Sequence, residues 1–258
     1  MRPSRATLRS ILNALVLVGV LVLNGMAGSG SLSGESIGVL ANRYASYFLP
    51  AGYVFGIWSL IYLALTAFAG DQLLPGRRDA PVLERVGWGW IVNGVLNMAW
   101  VVLFSFGRFG AALVVMVLLL ADLIVLHLRI ADAPGPLGWR DRALVAWPFD
   151  LYLAWISVAL IANTAQYLTY LEWGGWGIPG EVWSVLLMAV ATAAGGFMAL
   201  RRGTWIFPVV VAWAVWGIGA RYADVALLRS GAIAFTAVSI VLAVAGLWVR
   251  RRPAPVRT

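Results

Sequence analysis

The chain has 258 residues, 62% of them apolar and only 12% charged, whereas a soluble domain carries about 25% charge. Several uncharged runs reach or approach the roughly 20 residues that cross about 30 Å of hydrocarbon, so the chain reads as a polytopic membrane protein and most soluble enzyme and binding classes are excluded. The net charge of +8 comes from 19 basic residues, all arginine, set between the apolar runs in a way that fits membrane orientation rather than nucleic acid.

The uncharged stretches predict eight spans, over residues 11–28, 48–70, 86–106, 109–128, 143–168, 182–200, 204–220 and 231–249. The first resembles a secretory signal in its basic start and small residues Ala27-Gly28-Ser29. Its uncharged run from Ser10 to Gly34 is longer than a signal core, which favours a retained helix. Residues 29–47 form the longest connection on their side, with Asn42, Tyr44 and Tyr47; they read either as the cover of a pocket or as a surface linker.

Within the spans, polar and aromatic residues recur at spacings of three and four, which places them on one helix face. The second span carries Phe55, Trp58, Tyr62 and Thr66; the third Asn93, Asn97, Trp100 and Phe104; the fifth Tyr152, Trp155, Ala159 and Asn163. Amides at membrane depth cost free energy unless hydrogen-bonded, so these faces are expected to point into the bundle, as interhelical contacts alone or as pocket lining too. Asp122 in the fourth span and Asp150 in the fifth each lie about 10 Å deep at ~1.5 Å per residue, where they could share a polar layer and serve a proton relay. The structural alternative has Asp122 reaching towards Arg129 and Asp150 protonated or bonded to a neighbouring helix.

His127 reads as an interfacial polar residue, and, being single, it excludes a multi-histidine metal site; the lack of cysteine excludes disulfides and thiolate chemistry. In the sixth span Ala189, Ala193, Gly195, Gly196 and Ala199 read as a close-packing face. Most of the fourteen tryptophans, Trp90 among them, fall near span ends, as interfacial indoles do. Trp58, Trp100, Trp155, Trp213 and Trp216 lie inside spans, where an indole N–H wants an acceptor or a ligand.

Arginine placement tests the eight-span reading. Fifteen arginines fall at the N-terminus (Arg2, Arg5, Arg9), in alternate loops and in the tail with Arg250, Arg251, Arg252 and Arg257; four fall on the opposite side, Arg43, Arg108, Arg221 and Arg229. Both termini are therefore expected to be cytoplasmic.

Three motifs in order resemble the tryptophan-rich sensory protein family, also called the translocator protein or TspO/MBR family. Pro50 to Trp58 followed by Ile61-Tyr62-Leu63 is similar to its second-helix signature; Leu96-Asn97 with Trp100 is similar to its third-helix element; and Trp155, Ser157, Ala159 and Asn163 are similar to its fifth-helix element. The resemblance covers residues 8–170 and implies an all-α bundle of five helices around a pocket below the first loop, with three helices added in a longer branch. The corresponding division is 1–170 for the five-helix bundle and 171–258 for the rest.

Carried over by position, the resemblance implies pocket residues Tyr53, Trp58, Asn97, Trp100, Trp155, Ala159 and Asn163, to which the spacing adds Tyr62 and Tyr152. It further implies a porphyrin, haem or other apolar planar ligand and a sensory or transport role. Typical short members have Pro-Pro-x-Trp where this chain has Pro50-Ala51-Gly52-Tyr53, so an indole linked to porphyrin photodegradation is here a phenol. The steroid motif lacks its basic residue, because neither Lys nor Arg follows Tyr167 or Tyr170 before Gly174.

The expectation is an integral protein of a bacterial cytoplasmic membrane that receives or carries a hydrophobic planar ligand. No cofactor is required, porphyrin or haem being a ligand. Its partners would be membrane lipid, a hydrophobic small molecule and, in a homodimer, a second copy, with no nucleic acid. The competing expectation is a proton-coupled small-molecule transporter using Asp122 and Asp150.

Overall fold

The computed structural model describes residues 4–251; Arg2, Arg252 and Arg257 lie outside the described residues. Eight long helices occupy the eight predicted spans: α1 Arg5–Ser29, α2 Gly52–Leu73 including a 3₁₀ first turn, α3 Gly89–Ser105 and α4 Phe109–Ala131. They continue with α5 Trp139–Tyr170, α6 Gly180–Arg202, α7 Ile206–Arg221 and α8 Ala226–Arg251. Six are long and apolar enough to cross a membrane; α3 and α7, with 17 and 16 residues, still reach about 25 Å at ~1.5 Å per residue. No strand occurs among the described residues, so the protein is an all-α membrane bundle.

In the first five helices α1 packs between α2 and α3, α3 packs on α4, and α4 on α5. The last three form a second group: α6, α7 and α8 pack on one another, and α7 docks on α5. Small residues set the spacing. A methyl at Gly94 would lie 2.1 Å from Val16 Cγ1, so α1 and α3 approach backbone to side chain. Gly195 faces Pro208 and Val211 of α7, Gly196 faces Leu242 of α8, and Ala199 is buried, as the small-residue face predicts; Ala193 instead points outward.

The outer surface is apolar, with Leu15, Val18, Leu63, Val114, Val190 and Val241 all more than half exposed. Such residues face acyl chains, and the polar side chains turn inward. Pro148 has no N–H to donate and its ring crowds the carbonyl four residues back; the backbone answers with a π turn over Arg142–Ala146, closed by Trp147 N–H on the Arg142 carbonyl. The turn ends four residues before Asp150.

Trp90, expected at the interface, is instead 1% exposed and donates its indole N–H to the Asn13 carbonyl at 3.1 Å. Closing that bond onto α1 removes the reason for the ring to seek the headgroups.

Candidate functional site

Two sets of predicted residues meet between α2, α3 and α5. The first is a line of hydrogen bonds. Asn24 of α1, which the spacing did not single out, donates to Asn97 Oδ1 at 2.8 Å; Asn97 donates to the Tyr152 hydroxyl at 2.7 Å. Trp100 donates to Asn163 Oδ1 at 3.3 Å, while Asn163 bonds back to the Ala159 carbonyl at 2.9 Å. Asn93, Asn97, Trp100 and Phe104 are all buried, as the spacing predicts.

The second set is a wall of rings. Trp58 stacks on Tyr62 at 5.3 Å between centroids and meets Tyr152 and Trp155 edge-on at 5.9 and 6.2 Å; Phe55 meets Trp155 edge-on. Tyr152 and Trp155 are each 2% exposed, whereas Trp58, Tyr62, Ala159 and Asn163 are half-buried. The Trp155 indole nitrogen is buried with no hydrogen-bond partner among the described residues. The wall flanks the deeper stripe of α2, made by Ile57, Ile61, Leu65 and Phe68.

Two predicted positions stand apart. Thr66 is exposed and bonds back to the Tyr62 carbonyl. Tyr53 is half exposed, edge-on to Trp213 of α7 at 5.3 Å. The 3₁₀ turn buries its neighbour Val54 under α7, which rotates Tyr53 outward.

The long first loop is tied down, largely by α6 and α7. It contains a short helix, Ile37–Arg43, capped by the Ser36 hydroxyl. Arg221 donates to Asn42, Tyr222 to the Ser46 carbonyl, Ser184 to the Tyr47 carbonyl and Ala51 N–H to the Gly217 carbonyl. Trp213 donates to the Val54 carbonyl at 3.1 Å. At the loop the nearby Glu181 carboxylate, as hydrogen-bond partner and as charge, pushes the Tyr47 pKa up.

Beneath the loop, between α5 and α6, runs an open groove of about 980 Å³, lined by Tyr47, Phe48, Leu160, Thr164, Trp183 and Leu187 among others. This is the upper end of ligand-pocket size, roughly 300–1,000 Å³. No reading of the spacing pointed there, because its walls bring residues 45–48 against residues 160–187, far apart in the chain. Trp176, which also borders it, is 80% exposed and held at φ 55°, a left-handed conformation rare for a tryptophan.

The two membrane carboxylates have separate partners. Asp122 accepts from Asn93 of α3 at 3.0 Å. Asp150 pairs through Oδ1 with His127 Nδ1 at 2.7 Å and accepts from the Thr204 hydroxyl at 3.0 Å. The histidine is thus part of an interhelical pair, which a separation of 23 residues along the chain hid from a spacing argument. Among the described residues no group of three metal-ligating side chains occurs.

Comparison with known proteins adds one positive finding. A family model described as TSPO-like protein matches residues 10–248, from α1 through α8. No curated protein and no solved structure matches the chain.

Proposed function

The chain belongs to the TSPO-like family, whose membership supports a membrane receptor or transporter kind of role, and we propose that this member binds a hydrophobic planar ligand of the porphyrin or haem class. The ligand lies against the wall of Trp58, Tyr62, Tyr152 and Trp155, near Asn163. The first five helices supply this surface, and α6 and α7 brace the loop above it. What carries the reading is the Trp155 indole N–H, buried without a partner among the described residues and set beside the half-buried rings of Trp58 and Tyr62. Such a donor is satisfied by an acceptor on a bound molecule, and the rings offer stacking area.

The test is saturable quenching of tryptophan fluorescence by protoporphyrin in the purified full-length protein. Trp155→Ala and Asn163→Leu are each expected to weaken binding about tenfold, the loss of one buried hydrogen bond or ring contact. Thr164→Trp, which fills the groove between α5 and α6, is expected to leave the midpoint unchanged. If Thr164→Trp alone abolishes saturation, the ligand sits in the groove and the wall is the wrong site. Linear quenching, or equal midpoints in all variants, means partition into detergent and removes the reading.

A second reading, proton-coupled transport, draws on the half-buried His127–Asp150 pair, since membrane carboxylates mark proton paths. It expects Asp150→Asn to abolish pH-driven uptake in proteoliposomes while porphyrin binding persists. Uptake indifferent to pH removes it.

A further inference from the structure

A second, smaller pocket opens at the arginine-rich end of the bundle, where α4, the π turn of α5 and the turn between α6 and α7 meet. Its volume is about 180 Å³, and its lining includes His127, Arg142, Trp147, Asp150, Arg202 and Trp205. None of the wall residues Trp58, Tyr62, Tyr152 and Trp155 is part of that lining, so this pocket is separate from the aromatic wall.

The charge balance of the pocket decides what it can hold. Asp150 is its one carboxylate, and both its oxygens are engaged, by His127 and by Thr204. At the same end of the bundle Arg77 and Arg140 are paired to Asp71 and Asp141. Arg142 and Arg202 have no ion-pair partner among the described residues, and both line the pocket. Two guanidiniums against one occupied carboxylate leave an excess of positive charge in a concave, part-apolar site.

The surrounding backbone adds to this. α7 begins with no side-chain cap and no acidic residue in its first turn, so its free N–H groups add partial positive charge beside the pocket. The π turn carries Arg142 at its start; such turns cluster at functional positions in helices. Trp147 and Trp205 stand edge-on to each other at 6.1 Å, as indoles do at headgroup depth.

We propose that this pocket binds a phosphate group, held by Arg142 and Arg202. Guanidiniums suit phosphate because their planar fork meets two oxygens at once. The source is either an anionic lipid headgroup, reached between the indoles, or free phosphate.

The experiment titrates the full-length protein in neutral detergent with dioctanoyl phosphatidic acid, and separately with inorganic phosphate. Saturable binding of the lipid is expected, weakened roughly thirtyfold in the Arg142→Gln, Arg202→Gln double variant, about fivefold for each guanidinium. If folding of the double variant is impaired, as judged by its circular-dichroism melt, the single variants carry the test at about fivefold each.

A control with the same loss of charge, Arg85→Gln with Arg129→Gln, removes exposed arginines that do not line the pocket and is expected to change nothing. Competition by inorganic phosphate assigns the site to free phosphate; lipid binding that phosphate does not displace assigns it to the headgroup. Equal weakening by the control pair, or no binding of either probe, overturns the proposal.

Discussion

At the scale of single residues, the bundle is held by polar side chains that satisfy one another, and each such bond has a measurable worth. Tyr152 is the acceptor for Asn97, itself 1% exposed. Tyr152→Phe keeps the ring and strands the amide, and is expected to cost about 0.6–1.7 kcal/mol, read as a lower thermal midpoint in detergent. No shift would mean that Asn97 does not depend on the phenol. The cluster at the arginine-rich end behaves differently, because its groups differ in access to water. The Asp71 side chain is wholly buried, with Arg77 at 3.0 Å and Arg140 at 2.7 Å, while Arg140 is half exposed. Burial alone would lower the Arg77 pKa, but Asp141 and Asp71 outweigh it and raise it. Removing both arginines as Arg77→Met with Arg140→Met leaves a buried carboxylate uncompensated, at a cost of about 3–5 kcal/mol. Asp71→Asn leaves guanidiniums that turn towards solvent, at about 1 kcal/mol. Thermal unfolding of the two variants checks that order; equal losses would contradict it.

At the scale of elements, the C-terminal helices are fasteners for the first loop, and Gly217 is the tightest point of that junction. A Cβ there would sit 2.1 Å from Val54 Cγ2 and 3.3 Å from Pro50 Cβ. Gly217→Val is therefore expected to lift the loop from α7, at about 1–3 kcal/mol of overpacking. The measurement is hydrogen exchange, which should speed up over residues 42–54 while α7 itself stays protected; an unchanged loop would show that α7 does not hold it. Elements of this kind were legible in the sequence to different degrees. Hydrophobic run length placed all eight helices within a few residues, because the bilayer sets a length that the chain must meet. The Ile37–Arg43 helix escaped notice, since seven residues carry too little periodicity to read. The π turn escaped too, because Pro148 falls near the start of the fifth span, where a proline is tolerated or gives only a modest kink.

At the scale of the whole molecule, side chains on one helix face could be read from spacing, but the faces they meet could not. Asn97 and Trp100 were legible as inward-facing; that they bond Tyr152 and Asn163, and that Asp150 bonds His127, depends on which helices are neighbours. Sidedness is a property of the same scale, and the folded chain sharpens it. At one end Arg9 donates to the Arg78 carbonyl and Arg77 bonds Asp71 and Asp141, so the N-terminus and the connections after α2 and before α5 share a layer. At the other, Arg43 pairs with Glu35 and Arg221 with Asn42. With most arginines in the first layer, that layer is expected to be cytoplasmic. The chain has no cysteine, so single cysteines report position without background. Ser31→Cys, exposed in the first loop, should react with a membrane-impermeant maleimide in intact cells; Asp79→Cys, exposed after α2, should react only after permeabilisation. The reverse pattern would invert the bundle and place the arginine-lined pocket on the outer face.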